Sequence, residues 1–328
     1  MKKFIFSIFV SAFFIYLSIR GVEYEQVVKS LENANFTFFI PAIIFLVLGI
    51  ILKSIRLGIM LHPLEKISQK TLFPITCVGT MAIALVPMRV GEIVRPYLIK
   101  TKSQIPFTSS LATIFVERVL DVLALIFILS FAIFNSDLPE WLIISGYISF
   151  IIFILLICLI FFIYYKTEFI IKLSRPFLNN LPQNFIIKIE ELIRTFADGF
   201  KVISSSKRLL YTVFLSVLIW IFSTLAIYNL YFTQNLQLPF FTSFVVLFIT
   251  MIGISLPTAP GFIGNWQYGC ILALSIFDIS KGDALAFSIV YHLSAMSITI
   301  ILGMIFLPFV NISIKDIRKK LAVIRIQN

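Results

Sequence analysis

Six charged residues interrupt otherwise apolar parts of the chain, and their types and spacing suggest anion binding. They form two groups of three, namely Arg89, Glu92 and Arg95, followed by Glu117, Arg118 and Asp121. Guanidinium groups bind phosphate through paired hydrogen bonds, whereas carboxylates can orient the arginines or carry protons. Because the six charges balance, a purely structural ion-pair network is the alternative interpretation.

Three more ionisable residues lie in apolar runs. Lys53 and Arg56 are near the end of one run, where we expect their side chains to extend to the polar interface. An inward orientation of either would make the site net positive. His292 is isolated in the last apolar run. We expect it to be packed and satisfied, with a proton relay as the alternative.

The elements that position these charges are expected to be membrane helices. Of 328 residues, 59% are hydrophobic and only 13% are charged, far below the charged fraction of soluble domains. The net charge of +11 comes from basic residues scattered between apolar runs, which indicates membrane topology rather than nucleic-acid binding. Cys77, Cys158 and Cys270 lie in apolar runs without a C-x-x-C pair. We therefore expect buried thiols, no disulfide, and no metal or other cofactor.

Long apolar runs predict an all-α polytopic membrane protein with six spanning helices and two interrupted, re-entrant hairpins. The spans are near residues 4–20, 36–61, 107–134, 141–165, 209–233 and 284–310, and the interrupted runs are 72–99 and 240–277. The first run lacks a small-x-small cleavage site, so we interpret it as a span rather than a signal peptide. We expect one membrane domain over residues 1–312 and a short basic tail over 313–328.

Charges in the linkers predict the orientation of these spans. Basic residues dominate alternate linkers, including segment 166–208 and the tail, whereas the other linkers are acidic or neutral. By the positive-inside rule both termini are cytoplasmic, provided that each interrupted run enters and leaves on one side. Segment 166–208 also carries an amphipathic pattern, which predicts an interfacial helix that braces the structure. Its apolar positions are Phe185, Ile189, Leu192, Phe196, Phe200 and Ile203.

The two interrupted runs share the pattern P-x-x-V/I-G-x-I/W, at residues 87–93 and 260–266. Three predicted spans separate the copies, so we expect an inverted repeat with the substrate site between the hairpins. Chance similarity is the alternative. A proline break inside a membrane persists where it is buried in protein or lines a wet cavity, and the next half-helix start attracts anions. The predicted cavity residues at the breaks are Pro87, Gly91, Pro257, Pro260, Gly261 and Gly264.

Three segments together resemble the lysylphosphatidylglycerol synthase transmembrane region family of flippase-like bacterial and archaeal membrane proteins. They are VPMRVGEIVRPYLI, the ERVLD of residues 117–121, and SLPTAPGFIGNWQYG. The resemblance implies a module of the cytoplasmic (inner) membrane that moves lipids between leaflets. In bifunctional members a soluble aminoacyltransferase domain follows, and we expect no such domain or aminoacyl-lipid synthesis here. The family often has an acidic residue where this chain has Gln267, which implies a cavity that prefers a lipid without a lysyl headgroup.

Three other classes are weighed against this interpretation. A membrane-embedded lipid-modifying enzyme could use Glu117, Asp121 and His292 as acid–base groups, but the motifs G-x-S-x-G and H-E-x-x-H are absent from the sequence. A small-solute or ion-coupled secondary transporter would share the repeat and differ in cavity size and lateral access. An accessory subunit would carry no transport site.

The sequence therefore favours a flippase-like protein, and not an enzyme, that binds or translocates an anionic phospholipid or polyprenyl-phosphate lipid. In this hypothesis Arg89, Arg95 and Arg118 hold the phosphate, and the three carboxylates orient the arginines. Membrane lipid is the expected partner, and nucleic acid is not. Self-association and a protein partner in a lipid pathway are left open.

Overall fold

The structure is a computed structural model that describes residues 2–86, 91–135, 138–178, 182–256 and 259–310. Helices dominate this part of the chain, which contains no strand, so the all-α prediction is confirmed. The α-helices, in chain order, are α1 (Lys2–Ile19), α2 (Tyr24–Glu32), α3 (Phe39–Leu61), α4 (Gln69–Leu85), α5 (Val94–Lys102), α6 (Phe107–Asn135), α7 (Glu140–Tyr165), α8 (Thr167–Leu178), α9 (Gln183–Asp198), α10 (Ser206–Thr233), α11 (Thr242–Ser255), α12 (Asn265–Ser275) and α13 (Lys281–Phe306).

Several of these helices are long and apolar enough to cross a membrane. Within the described ranges four qualify by length and composition, and the pair α1 and α2, bent by 85°, can count as a fifth. Those four are Phe36–Leu61, Glu140–Tyr165, Ser206–Thr233 and Lys281–Val310. Helix α6 has 29 residues, or about 43 Å, but carries three charges in its middle. A multi-pass membrane protein is confirmed, whereas the number of six spans stays a prediction.

Helices α3 and α10 pack along each other at the centre of the bundle. Around them, α4 packs against α3 and α13, and α5 packs against α6. Correspondingly, α11 packs against α10 and α6, and α12 packs against α13. Each contact of the set α3 to α6 thus has a counterpart in the set α10 to α13. This pattern of neighbours is compatible with the predicted inverted repeat, and both the repeat and the opposite entry of the two hairpins stay predictions.

Glycines in both hairpins allow the backbone to lie close to its neighbours. A Cβ at Gly91 would overlap the Ala82 carbonyl group in the last turn of α4. In the second hairpin Gly261 and Gly264 have φ angles of 77° and 91°. A Cβ at Gly264 would also lie 2.5 Å from the carbonyl oxygen of Ser11 in α1. Of the break residues predicted above, Pro87 and Pro257 lie outside the described residues.

Segment 166–208 folds into two helices and a 3-10 turn at Lys201–Ser204. Helix α9 is the predicted amphipathic helix, although it ends at Asp198, and α8 was not predicted from the sequence. Phe200 is fully buried, whereas Phe185 and Leu192 are 59% and 46% exposed. The start of α9 therefore presents its apolar face away from the protein, as an interfacial helix does.

Helix α7 lies at the periphery and is apolar on all sides. It carries Cys158, which is exposed, so the prediction of a third buried thiol is wrong. A residue in such a helix can face lipid at no cost, which the run of apolar residues alone did not reveal. Cys77 and Cys270 are buried as predicted.

Candidate functional site

Glu117 is the centre of a buried ionic cluster. Its side chain is fully buried, and both of its oxygens accept hydrogen bonds from Arg95, at 3.0 Å from Nη1 and 3.1 Å from Nη2. Oε1 also lies 3.1 Å from Nη2 of Arg56 and accepts a 2.9 Å hydrogen bond from Arg118. Three guanidinium groups, carried by α3, α5 and α6, thus converge on one carboxylate.

Asp121 extends the cluster one turn further along α6. Its Oδ1 accepts hydrogen bonds from Nη1 of Arg56 at 2.7 Å and from Nε1 of Trp220 at 3.1 Å. Arg118 approaches Oδ2 at 3.4 Å. The same Nη1 of Arg56 donates to Ser216 Oγ at 2.6 Å. Helix α10 therefore supplies two polar groups that hold Arg56 and Asp121 together.

Local sequence explains how these groups meet. Glu117 and Asp121 are four residues apart, so they lie on one face of α6. Arg95 is near the start of α5, and its side chain crosses α4 at Gly79, where a Cβ would overlap its methylene groups. Glycine at this position in α4 is therefore what lets Arg95 reach Glu117.

The structure corrects two expectations about charge. Arg56 is fully buried between Glu117 and Asp121, so the prediction that it extends to the interface is wrong. Inside the bundle the guanidinium forms ion pairs with two carboxylates, which offset the cost of burying its charge. Lys53 also points inward, with Nζ 5.9 Å from the centre of the Trp220 ring.

The described cluster is consequently not balanced. Glu92 interacts electrostatically with Arg118 and joins the acidic side, while Lys53 and Arg56 add to the basic side. Four basic side chains thus face three acidic ones among the described residues. Arg89, the remaining predicted site residue, lies outside them.

The arginines also retain hydrogen-bonding capacity. The Nε atoms of Arg56, Arg95 and Arg118 are buried and make no hydrogen bond within the described residues. Only Arg118 among the three has a substantially exposed side chain, at 37%. The cluster is therefore accessible from the side of Arg118, where an anion can approach the guanidinium group.

The second hairpin is held by neutral hydrogen bonds. The backbone N–H of Gly264 donates to Gln267 Oε1 at 2.7 Å, and Gln267 Nε2 lies 3.0 Å from Nδ1 of His292. Nε2 of His292 lies 2.6 Å from the carbonyl oxygen of Gly261. Since a carbonyl only accepts, Nε2 carries the proton. Nδ1 accepts from the amide N–H of Gln267, so the imidazole is neutral. His292 is thus packed with both nitrogens engaged, as expected.

The two hairpins use equivalent helix pairs for different contacts. Arg95 and Glu117 join α5 to α6, whereas Gln267 and His292 join α12 to α13. The turn Pro260–Phe262 lies against α4, so the break of the second hairpin adjoins the first hairpin. The described residues of the second break therefore lie beside the first hairpin.

Sequence reasoning missed the contribution of α10. Ser216 and Trp220 lie four residues apart, between the buried Thr212 and Thr224. Small polar residues and tryptophan at this spacing mark one polar face on an apolar helix. That pattern was the available signal for the partners of Arg56 and Asp121.

Comparisons with known proteins give one consistent result. Residues 4–303 match the family model described as "Lysylphosphatidylglycerol synthase TM region". The chain is 29% identical over 226 residues to the UPF0104 membrane protein MJ1078 of Methanocaldococcus jannaschii, covering 68% of this chain and 91% of the relative. It is 25% identical over 307 residues to the UPF0104 membrane protein MJ1595 of the same archaeon, covering 90% and 91%. No solved structure matches it significantly.

Proposed function

The chain belongs to the lysylphosphatidylglycerol synthase TM region family, and we propose that it binds the phosphate of an anionic lipid at the buried arginine cluster and moves that lipid between leaflets. The family and the multi-pass membrane fold support a role in membrane lipid biology. The proposal adds the lipid class, the site and the transport step. It also includes the cytoplasmic membrane as the location, with both termini on the cytoplasmic side.

The excess of basic side chains in the cluster carries this proposal. A charge in the middle of a bilayer costs about 2.5–3.5 kcal/mol on insertion scales, so an unmatched cation there favours an anionic ligand. A network with a purely structural role would be stable with equal numbers of each sign. Here Lys53, Arg56, Arg95 and Arg118 outnumber the three carboxylates among the described residues.

Arg118 is the residue that we expect to contact the phosphate first. It is the most exposed of the three paired arginines, and a guanidinium can bind a phosphate with two parallel hydrogen bonds. Arg56 and Arg95 are fixed by Glu117 and supply positive potential behind Arg118. In this arrangement the carboxylates orient the arginines.

The same contacts argue against acid–base catalysis by Glu117. Its two oxygens already receive three guanidinium groups, which stabilise the ionised carboxylate and occupy its lone pairs. A general acid or base needs a free approach to the reacting proton. We therefore propose a transporter and not an enzyme.

Leaflet exchange in proteoliposomes tests this function. Purified protein would be assayed with labelled phosphatidylglycerol, lysyl-phosphatidylglycerol, phosphatidylethanolamine and polyprenyl phosphate, with and without a proton gradient. The matched variants are Arg118→Gln and Arg175→Gln, because Arg175 forms an exposed pair with Glu190 at the surface. We expect exchange of an anionic lipid that Arg118→Gln abolishes and Arg175→Gln preserves. Absence of exchange for every lipid under both conditions would contradict the proposal.

A further inference from the structure

A largely apolar groove with basic residues in its lining lies apart from the arginine cluster, where α3 ends and α4 and α10 begin. It has a volume of about 760 Å³. Its basic or ionisable lining residues are His62, Lys66, Lys207 and Arg208. None of the lining residues that the structure describes is acidic, and the nearby Glu65 accepts a hydrogen bond from the Gln104 backbone at 2.8 Å. The groove therefore has a positive potential.

Two helix starts add to this potential. Ser68 precedes α4 and Ser205 precedes α10, and both residues line the groove. The first turn of a helix carries backbone N–H groups without intrahelical partners and a partial positive charge. In addition, Nε of Arg208 is buried and makes no hydrogen bond within the described residues. Arg208, which lines the groove, therefore keeps a donor that no described residue satisfies.

The floor of the groove is fixed by packing between α3 and α4. Ser54 donates to Gln69 Oε1 at 2.8 Å, and Gly58 lies directly against the Gln69 side chain. Ile55 and Ile59 supply an apolar wall beside these polar groups. A rigid floor, basic residues on the rim and an apolar wall suit a phosphate group attached to a lipid.

We propose that this groove is a second phosphate-binding site, at the membrane surface, in which Lys66, Lys207 and Arg208 hold the phosphate. It is distinct from the buried cluster. Arg208 and Ser216 are eight residues apart on α10, which is about 12 Å along the helix. The phosphate can belong to an anionic lipid headgroup or to a soluble phosphate compound, since both present the same oxygens. Binding at the groove does not depend on the transport that we proposed above.

Binding to the full chain in detergent tests the site. Native mass spectrometry would measure phosphatidylglycerol adducts, with zwitterionic phosphatidylcholine, which has no net charge, as the comparison. All measurements would be made in an Arg118→Gln background, which removes the outermost arginine of the cluster. The groove variant is Lys66→Gln with Lys207→Gln, and the control is Lys172→Gln with Lys188→Gln. All four lysines are exposed, so both variants remove two charges without disturbing packing.

We expect the groove variant to weaken phosphatidylglycerol binding about tenfold or more, while the control retains it. Inorganic pyrophosphate would then be added as a competitor. If pyrophosphate displaces the lipid from the control but not from the groove variant, the groove binds phosphate and accepts it from a soluble compound. If the groove variant binds less lipid and pyrophosphate does not displace the lipid from the control, the groove binds phosphate as part of a lipid headgroup.

Equal losses in the groove variant and the control would overturn the proposal, because binding would then follow total charge. Unchanged binding in both would overturn it as well. Arg208→Lys provides a further measurement. It keeps the charge but loses the planar donor fork, and we expect a partial loss of affinity. If neither Arg208→Lys nor Arg208→Gln changes the affinity, the assignment of Arg208 to the site is wrong.

Discussion

Replacing Glu117 by glutamine tests the energetics of the arginine cluster most directly. The substitution keeps the shape of the side chain but removes the charge that Arg56, Arg95 and Arg118 share. Breaking a buried ion pair by removing one partner costs about 3–5 kcal/mol, because the other partner stays buried without compensation. Arg56 keeps Asp121, whereas Arg95 loses its anionic partner and one of its two hydrogen bonds, because the glutamine NH2 group cannot accept; the penalty therefore falls mainly on Arg95. We expect the free energy of unfolding to fall by about 3–5 kcal/mol.

The free energy of unfolding would be measured by denaturant titration of the purified protein, with helix content as the signal. Glu190→Gln is the matched control, since its partner Arg175 is 61% exposed and such surface pairs contribute about 0–1 kcal/mol. Combining Glu117→Gln with Arg95→Met should cost less than the sum of the single changes, because the second change removes the uncompensated charge. Equal stability of Glu117→Gln and the wild type, or additive costs in the double variant, would refute this account of the cluster.

Three further predictions concern other contacts. Trp220→Phe removes the hydrogen bond to Asp121 and should lower the free energy of unfolding by about 1.5–3 kcal/mol, the range for a bond to a charged group, measured by the same titration. Gly264→Ala should lower the free energy of unfolding by more than about 1 kcal/mol, because φ is 91° and the new Cβ would overlap the Ser11 carbonyl oxygen. An alanine variant as stable as the wild type would contradict the close approach of α1. Gln267→Glu places a carboxylate beside His292, and we expect it to raise binding of lysyl-phosphatidylglycerol relative to phosphatidylglycerol in native mass spectrometry.

The sequence predicted those features that depend on local pattern. Apolar runs located the long helices, and the four-residue spacing of Glu117 and Asp121 placed both carboxylates on one face of α6. It could not predict contacts between residues distant in the chain. Ser216 is 160 residues from Arg56, and nothing in either segment indicates that α3 and α10 are central neighbours. The same limit explains the wrong prediction for Arg56, since its orientation depends on carboxylates supplied by another helix.

Helix α8 and the exposure of Cys158 were not predicted, for a different reason. Helix α8 contains Pro176 and has charged residues among its apolar ones, so no long apolar run identifies it. Cys158 lies in a run that is apolar throughout, and a run of that kind does not distinguish a side facing protein from a side facing lipid. Both features are decided by which helices pack together.

The contrast between the two hairpins predicts which of them moves during lipid transfer. Moving α5 away from α6 would separate Arg95 from Glu117, at a cost of about 3–5 kcal/mol for the buried ion pair. Moving the second hairpin away from α13 would break the hydrogen bonds of His292 to Gln267 and Gly261, each of which contributes about 0.5–1.5 kcal/mol. We therefore expect the second hairpin to open while the cluster stays intact.

Hydrogen exchange measured by mass spectrometry tests this order of opening. The backbone amides of residues 264–268 should exchange faster than those of residues 95–99, and added phosphatidylglycerol should widen the difference if the lipid promotes opening. The Gly264 amide is a sensitive reporter because its only described partner is the Gln267 side chain, at 2.7 Å. Faster exchange in residues 95–99 would show that the ionic hairpin is the mobile one, and the energetic argument from buried charge would then fail.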